Sequence, residues 1–410
     1  MSQTTSLIQD VQLAGSRFDG TWSAMAESAS ILEPATGAVL GKVAIARPAD
    51  IAAGAASARK AQKVWAGRTP DERAAVLRRA AELAQTHWDE ITGWIMRESG
   101  SVRAKAEFEL SITIKSLQLA SGMPHQAQGQ ILPSEPGRLS LARRRPLGVV
   151  GVISPFNFPL YLAMRAVAPA LAVGNAVVLK PDPRTTLCGG VVIARLFELA
   201  GLPQGVLHLL PGGGDAGEAL CSDPNVAMIQ FTGSTGAGRR VGETASRNLK
   251  KVSLELGGKN SLIILEDADL DLAVKNAAWA AWLHQGQICM SAGRILVQRS
   301  ILDAFAKALA EKARQLPVGD PTSEQVALGP IINQAQLDHA VSILDQSRAA
   351  GAEITAGGTA EGLFLPATVV KGVTPDMSAY TAEIFAPVAV LVPFDTDAEA
   401  IALANDTEYG

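Results

Sequence analysis

The residues best suited to chemistry are a cysteine and a carboxylate in two short stretches. Cys289 lies in QGQICM at 285–290, between a helix-like run at 270–283 and a strand-like run at 294–298. A cysteine presented between a helix and a strand is a candidate nucleophile, and its thiolate is the reactive form. Glu255 lies in LELGGK at 254–259, beside a Gly-Gly turn. A carboxylate with apolar neighbours is a candidate general base.

A single cysteine can equally be a small buried hydrophobic residue, so the other two cysteines matter. Cys188 and Cys221 lie in helix-like apolar runs. Three sparse cysteines without metal-like spacing argue against a disulfide framework and against a zinc site, and we expect no bound metal. A reduced compartment, the cytoplasm, fits this usage.

Composition limits the possible partners. The chain has 410 residues, a formal net charge of -4 and 48% hydrophobic residues, which suggests two or three domains. The charge balance gives no reason to expect nucleic acid, and the basic run at 143–145 is short. The polar segment at 1–20 has no signal-like core, and no apolar run is long enough to span a bilayer. We therefore expect no membrane partner.

The elements that must position these residues alternate in type. Residues 48–122 read as helical, with Thr69 and Pro70 beginning one of the helices. From 147 to 298, short apolar runs alternate with helical patterns, which predicts an α/β fold with parallel sheet covered on both faces. The predicted strands are 149–153, 176–179, 206–210, 228–231, 252–256, 262–265 and 295–297. Later helices are predicted near 302–316 and 334–350, before a strand at 388–392.

Ligands in such folds bind outside the carboxyl ends of the strands, so the residues that follow each strand are candidates. Asn157 lies in SPFNFP at 154–159, and Lys180 follows the next strand. The run at 212–217 matches G-x-G-x-x-G, but no acidic residue ends the next strand, so a tight turn is the better interpretation. The run TGSTGAG at 232–238 is consistent with a phosphate-binding helix N-terminus or with an ordinary capped helix.

Five separated motifs together closely resemble the NAD(P)-dependent aldehyde dehydrogenase superfamily. They are PFNFP at 155–159, FTGSTGAG at 231–238, LELGGK at 254–259, GQICMS at 286–291 and EIFAP at 383–387. The resemblance covers about 30–410, and the contexts at 137–165 and 283–294 look most like the benzaldehyde dehydrogenase branch. It implies the aldehyde dehydrogenase fold, with a Rossmann-like cofactor domain at 1–124 and 147–256, an oligomerisation hairpin at 125–146 and an α/β catalytic domain at 257–410. Members of the superfamily continue beyond the point matching 410, so the chain is expected to be C-terminally incomplete.

The resemblance assigns roles to particular residues. Cys289 is the expected nucleophile, Asn157 and the Cys289 N–H hold the oxyanion, and Glu255 activates water. The cofactor-binding residues implied are Ser154, Pro155, Phe156, Lys180, Gly233, Ser234, Leu256, Glu383 and Phe385. The substrate tunnel implied is lined by Phe158, Tyr161, Arg165, Leu283, Ile288 and Met290. Most of the tunnel residues are apolar, which suits an aromatic aldehyde such as benzaldehyde.

The cofactor is expected to be NAD or NADP. Members of the family that are specific for NAD often carry a glutamate three residues after the lysine, and here that residue is Pro183. A proline neither holds a ribose 2′-hydroxyl nor repels a 2′-phosphate. Ala386 replaces the usual glycine of its motif, which puts that loop's geometry in question.

Other activities stay open at this point. A CoA-acylating enzyme or a semialdehyde dehydrogenase has the same fold, although the acylating branch commonly lacks the base corresponding to Glu255. A truncated, non-catalytic protein is the remaining alternative. When full length, the protein is expected to be a homodimer or homotetramer acting on a small-molecule aldehyde.

Overall fold

The computed structural model describes residues 6–322 and 326–409. Residues 1–5 and 410, at the ends of the predicted domains, and residues 323–325, between the helices predicted at 302–316 and 334–350, lie outside the described residues. The chain divides into two compact units. The first comprises Met1–Leu32, Val39–Glu98 and Glu107–Glu255, and the second comprises Glu33–Ala38, Ser99–Ala106 and Leu256–Gly410.

The first unit is built around a seven-stranded sheet. Its seven strands are β1 (Ser16–Phe18), β2 (Trp22–Ala24), β7 (Val149–Ile153), β8 (Ala176–Lys180), β9 (Leu207–Leu209), β10 (Val226–Thr232) and β11 (Lys251–Glu255). Four further strands lie outside this sheet: β3 (Ser28–Leu32), β4 (Val39–Ala44), and the hairpin strands β5 (Gly129–Leu132) and β6 (Ser140–Arg143). The sheet order is β11-β10-β7-β8-β9-β1-β2, and β3 pairs with β4. From β11 to β9 neighbouring strands are parallel, as predicted, and β1 and β2 add an antiparallel edge.

Helices cover this sheet. They are α1 (Pro48–Ala66), α2 (Pro70–Thr86), α3 (Trp88–Ser99), α4 (Arg103–Gly122), α5 (Pro159–Ala172), α6 (Val192–Leu199), α7 (Gly214–Ser222) and α8 (Thr235–Arg247). Thr69 begins α2 as predicted, because its hydroxyl accepts the Glu72 N–H while the Glu72 carboxylate accepts the Thr69 N–H. Every residue of β7 and β8 is buried, so the centre of the sheet is the core of this unit.

The second unit is built on a five-stranded sheet of order β12-β13-β16-β15-β14. The strands are β12 (Asn260–Ile264), β13 (Ala292–Gln298), β14 (Glu353–Ala356), β15 (Thr368–Lys371) and β16 (Val388–Phe394), and the helices are α9 (Leu270–Trp282), α10 (Leu302–Arg314), α11 (Gln334–Ala349), α12 (Ser378–Thr381) and α13 (Asp397–Asn405). Only the β14–β15 pair of this sheet is antiparallel. Two clusters of buried residues, which include Phe305 and Phe394, form its core.

Several sequence-based bounds shift by one to three residues, and several elements, among them α12 and α13, were not predicted. The strand predicted at 206–210 is observed only at Leu207–Leu209, and β14 and β15 are additional. A π-helical turn at Leu187–Val191 precedes α6. The run at 212–217 follows β9 and contains the start of α7 at Gly214, which agrees with the interpretation as a tight strand-to-helix turn. Across residues 6–322 and 326–409, no helix combines the length and apolar character needed to cross a bilayer.

Candidate active site

The segment after β7 carries several of the expected site residues. Ser154, Phe156, Asn157 and Phe158 are buried, Pro155 is half-buried, and the Ser154 N–H donates to the Lys180 carbonyl over 3.3 Å. The segment leads into α5 at Pro159, where the Glu109 carboxylate accepts the Leu160 and Tyr161 N–H groups at 2.8 and 3.2 Å. An anion at a helix N-terminus satisfies amides that otherwise lack partners. Asn157 is therefore held on a fixed backbone.

Arg165 and Glu255 meet within the first unit. Arg165 lies on α5, Glu255 is the last residue of β11, and an Arg165 guanidinium nitrogen lies 3.0 Å from Glu255 Oε2. The Gly233 N–H donates to the Glu255 carbonyl over 3.0 Å, which fixes the backbone of the carboxylate. The resemblance placed Arg165 only in the tunnel lining, and the ion pair was not predicted.

Lys180 and Pro183, which bear on cofactor choice, lie in a turn that hydrogen bonds and an ion pair hold in place. The Lys180 ammonium donates to the carbonyls of Pro181 and Gly212, at 3.2 and 2.9 Å, and burial lowers its pKa. Asp182 holds Arg184 through both carboxylate oxygens, at 2.8 and 2.7 Å, and the Arg184 guanidinium lies 4.1 Å from the Phe156 ring centroid. The cation beside Pro183, Arg184, is therefore already paired with Asp182.

The Gly233–Ser234 pair lies at the start of α8. The Ser234 side chain accepts the Ala237 N–H over 3.4 Å, which is the arrangement of a capped helix. Four buried hydroxyl oxygens in this unit have no hydrogen-bond partner among the described residues, and two of them, Ser154 Oγ and Thr235 Oγ1, belong to segments expected to bind the cofactor. Unsatisfied buried hydroxyls, a helix N-terminus and a buried ammonium fit a nucleotide phosphate and ribose, so the residues of this unit suit NAD or NADP.

In the second unit, Cys289 is presented on a short loop between α9 and β13. Cys289 is exposed, whereas Ile288 before it is buried, Leu283 is half-buried and Met290 is 79% exposed. Cys188 and Cys221 are buried, and none of the three cysteines forms a disulfide. Burial also raises the pKa of the Cys221 thiol to about 11, which makes its thiolate scarce at neutral pH.

The loop before Cys289 has an uncommon backbone. His284, Gln285 and Gly286 have φ values of 49°, 55° and 64°, in the left-handed region. Non-glycine residues adopt this conformation at a cost, so other contacts must maintain it. The Gln285 side-chain amide donates to the carbonyls of Gly100 and Pro330, at 2.8 and 3.0 Å, and the Gln287 side-chain oxygen accepts the Ile332 N–H over 3.1 Å.

Two more contacts fix the position of the nucleophile itself. The Asn260 amide donates to the carbonyls of Cys289 and Ser291, at 2.8 and 3.1 Å. Gly286 leaves no room for a side chain, because a Cβ there would lie 2.1 Å from the Ala386 carbonyl oxygen. The sequence motifs predicted no role for Gln285, Gly286 and Gln287. The signal that could have indicated one is the pair of polar glutamines just before Cys289.

Glu383 and Phe385 line a cavity in the second unit with Gly258, Lys259 and Ile288. Glu383 accepts the Gly258 N–H over 3.3 Å, but burial outweighs this bond and raises the pKa of Glu383. Burial, reinforced by Arg294, lowers the pKa of Lys259 to about 7.

The loop at 383–387, which lines this cavity, also accommodates Ala386, the residue that replaces the usual glycine of its motif. Phe385 has a φ of 54° and Ala386 is buried, so the methyl group at 386 is accommodated. Leu256, which directly follows β11 and belongs to the second unit, is half-buried.

Comparison with known proteins identifies the family. The family model described as "Aldehyde dehydrogenase family" matches residues 22–410. A vanillin dehydrogenase from an Amycolatopsis species is 54% identical over 99% of this chain and 84% of that protein. A benzaldehyde dehydrogenase [NAD(+)] from Pseudomonas putida is 48% identical over 97% of this chain and 82% of that protein.

A solved NAD-dependent benzaldehyde dehydrogenase from Corynebacterium glutamicum has a TM-score of 0.91 at 40% identity, covering 97% of this chain and 88% of that chain. The lactaldehyde dehydrogenase of Escherichia coli has a TM-score of 0.92 at 34% identity, covering 97% of this chain and 85% of that chain. The predicted aldehyde dehydrogenase fold is confirmed. The chain belongs to the aldehyde dehydrogenase family.

Proposed function

We propose that this protein oxidises an aromatic aldehyde, such as benzaldehyde or vanillin, to its carboxylic acid with NAD or NADP. The observation that carries the chemistry is the exposed Cys289, which directly follows the buried residues 284–288 on a loop held by hydrogen bonds. The substrate class follows from the similarity to vanillin and benzaldehyde dehydrogenases at 54% and 48% identity.

In the proposed mechanism, the Cys289 thiolate attacks the aldehyde carbon and forms a C–S bond, while the carbonyl π electrons move to oxygen. The Asn157 amide and the Cys289 N–H donate to that oxyanion, and one such donor is typically worth about 3–4 kcal/mol. A bound NAD or NADP would supply the acceptor for the hydride that leaves the former aldehyde carbon. A thioester on Cys289 remains.

Hydrolysis then regenerates the enzyme. Water attacks the thioester carbon, Glu255 takes the proton of that water, and the C–S bond breaks to release the acid and the thiolate. Because Glu255 supplies a base, hydrolysis is favoured over transfer of the acyl group to CoA. We assign no role in catalysis to a metal.

Other residues hold the cofactor and the substrate in this proposal. Lys180 and Glu383 would hold the two riboses, Gly233 and Ser234 would hold the pyrophosphate, and Phe385 would pack by the nicotinamide. Ser154, Pro155, Phe156 and Leu256 complete the cofactor site, and Phe158, Tyr161, Arg165, Leu283, Ile288 and Met290 line the aldehyde tunnel.

We also propose that the protein is a cytoplasmic homodimer or homotetramer. The β5–β6 hairpin is the proposed contact, because Ile131 and Leu141 on it are 76% and 53% exposed. Apolar side chains exposed on a paired ribbon are typical of an interaction surface. Size-exclusion chromatography with light scattering tests the assembly.

The first test replaces Cys289 with alanine and assays benzaldehyde and vanillin with both cofactors. We expect turnover to fall by at least about 10⁴-fold while cofactor binding, measured by fluorescence titration, is kept. Cys221→Ala, a buried cysteine elsewhere, is the matched control and should keep its activity. Substantial turnover by folded Cys289→Ala would contradict the mechanism.

The second test replaces Glu255 with glutamine, which keeps the shape of the side chain but cannot accept a proton. Rapid mixing should show a burst of reduced cofactor followed by slow turnover. Loss of the burst with cofactor still bound would mean that Glu255 is needed to activate Cys289. Product analysis with added CoA distinguishes acid release from acyl transfer.

A further inference from the structure

Helix α5 contains a single charged residue among apolar neighbours. In PLYLAMRAVAPALA at Pro159–Ala172, Arg165 is the one charged side chain, and it is one-third exposed. A cation on a helix that packs on the central strands is costly unless it has a partner. Its partner is the Glu255 carboxylate, 3.0 Å away.

The pair contributes little to stability, because the Glu255 side chain is 54% exposed and water screens the charges. Its position is more informative. The Glu255 backbone is fixed by the Gly233 N–H and by the register of β11 beside β10, where Glu255 lies opposite Thr232. The backbone is therefore constrained at the end of β11, and the guanidinium restricts the remaining freedom of the side chain.

The two carboxylate oxygens have different surroundings. Oε2 faces the guanidinium, so Oε1 is the oxygen left to receive a proton from water. The guanidinium stays charged throughout and cannot itself transfer that proton.

We propose that Arg165 is a positioning residue for the general base: it orients Glu255 for hydrolysis of the Cys289 thioester. This inference rests on the proposed function and deepens it. In the step concerned, water forms the new C–O bond, its proton moves to Glu255 Oε1, and the C–S bond breaks with the electron pair on sulfur. No electrons are transferred in this step, and Arg165 neither gains nor loses a proton.

Other charged groups lie near this strand. The elements packed against β11 are β10 and α8, and β10 carries no charged residue within Val226–Thr232. The charged residues of α8 are Arg239, Arg240, Glu243 and Arg247, and Lys251 lies at the other end of β11. These groups are unchanged in Arg165 variants, so a difference between variants reports Arg165 itself.

The experiment compares Arg165→Met, Arg165→Lys and the wild type by rapid quench. Benzoate release and reduced-cofactor formation are followed separately in single turnovers, and KM for benzaldehyde is measured in the steady state. For Arg165→Met we expect benzoate release to slow about tenfold at neutral pH, with the cofactor burst unchanged within about twofold. The KM for benzaldehyde should stay within about twofold of the wild-type value, because the guanidinium acts on the base and not on the substrate.

Arg165→Lys keeps a cation that can still donate to Glu255, so it should restore part of the lost rate of benzoate release. Arg247→Met removes the arginine of another exposed Arg–Glu pair, which lies on α8 with an N···O distance of 2.6 Å, and is the matched control that should not change either step. Thermal melting confirms that each variant is folded.

Two results would overturn the proposal. One is a burst that slows in parallel with benzoate release, and the other is a raised KM for benzaldehyde with an unchanged single-turnover rate of benzoate release. Either result would make Arg165 a substrate contact. Absence of aldehyde oxidation in the wild type would instead refute the proposed function, so the two failures are distinguishable.

Discussion

Replacing Gly286 with alanine tests whether the loop holds Cys289 by close packing. The new Cβ would lie 2.1 Å from the Ala386 carbonyl oxygen and 3.0 Å from that of Ala281. Ordinary C···O contacts are about 3.3 Å or longer, so the backbones must separate by roughly 1 Å. The φ of 64° adds a cost of roughly 1 kcal/mol for a residue with a side chain.

The two costs can be separated with a matched glycine in the same unit. Gly362 has a φ of 57°, and an alanine methyl group there would meet no heavy atom within 4 Å, so Gly362→Ala carries the conformational cost alone. We expect a loss of unfolding free energy of about 1 kcal/mol for Gly362→Ala and of about 3–5 kcal/mol for Gly286→Ala. Urea unfolding of both variants measures this difference.

The same substitution should displace the nucleophile. A shift of about 1 Å at a reacting group typically costs about 100-fold in rate, so benzaldehyde turnover of folded Gly286→Ala should fall by that factor. Iodoacetamide labelling of Cys289 should change with it, whereas Gly362→Ala should resemble the wild type in both assays. Equal stability of the two variants, together with full activity of Gly286→Ala, would refute the packing argument.

Two further predictions concern cofactor choice and pH. Asp182→Asn should release Arg184 and remove a negative charge, so the kcat/KM ratio of NADP to NAD should rise about tenfold; an unchanged ratio would show that Arg184 does not reach a 2′-phosphate. Burial raises the pKa of Glu98 to about 8, although the N–H groups of Leu187 and Cys188 oppose the shift. The unfolded chain therefore loses this proton first as pH rises from 4.5, and unfolding free energy should fall by about 1.4 kcal/mol per pH unit until about pH 8. Glu98→Gln should remove that slope in denaturant titrations, and parallel profiles for the two proteins would contradict the assignment.

Much of the local structure follows from the sequence because its causes are local. Helix α1 begins at Pro48, and α2 begins after Thr69 because a proline at the first turn and a reciprocal capping pair favour those starts. The strand at 149–153 was predicted with its observed bounds, since a short apolar run between turn residues suffices to indicate a buried strand. The family followed from five motifs, and comparison confirms it.

The tertiary structure alone decided how the site residues are held. Arg165 reaches Glu255 because of the parallel β11-β10-β7 order, and no local pattern joins residues that are so far apart in sequence. The left-handed backbone at His284 and Gln285 opposes local preference and persists with hydrogen bonds from Gln285 to Gly100 and Pro330. The sequence thus determined which residues are available for chemistry, whereas non-local strand pairing and buried hydrogen bonds determined their conformations, because those interactions depend on the folded chain.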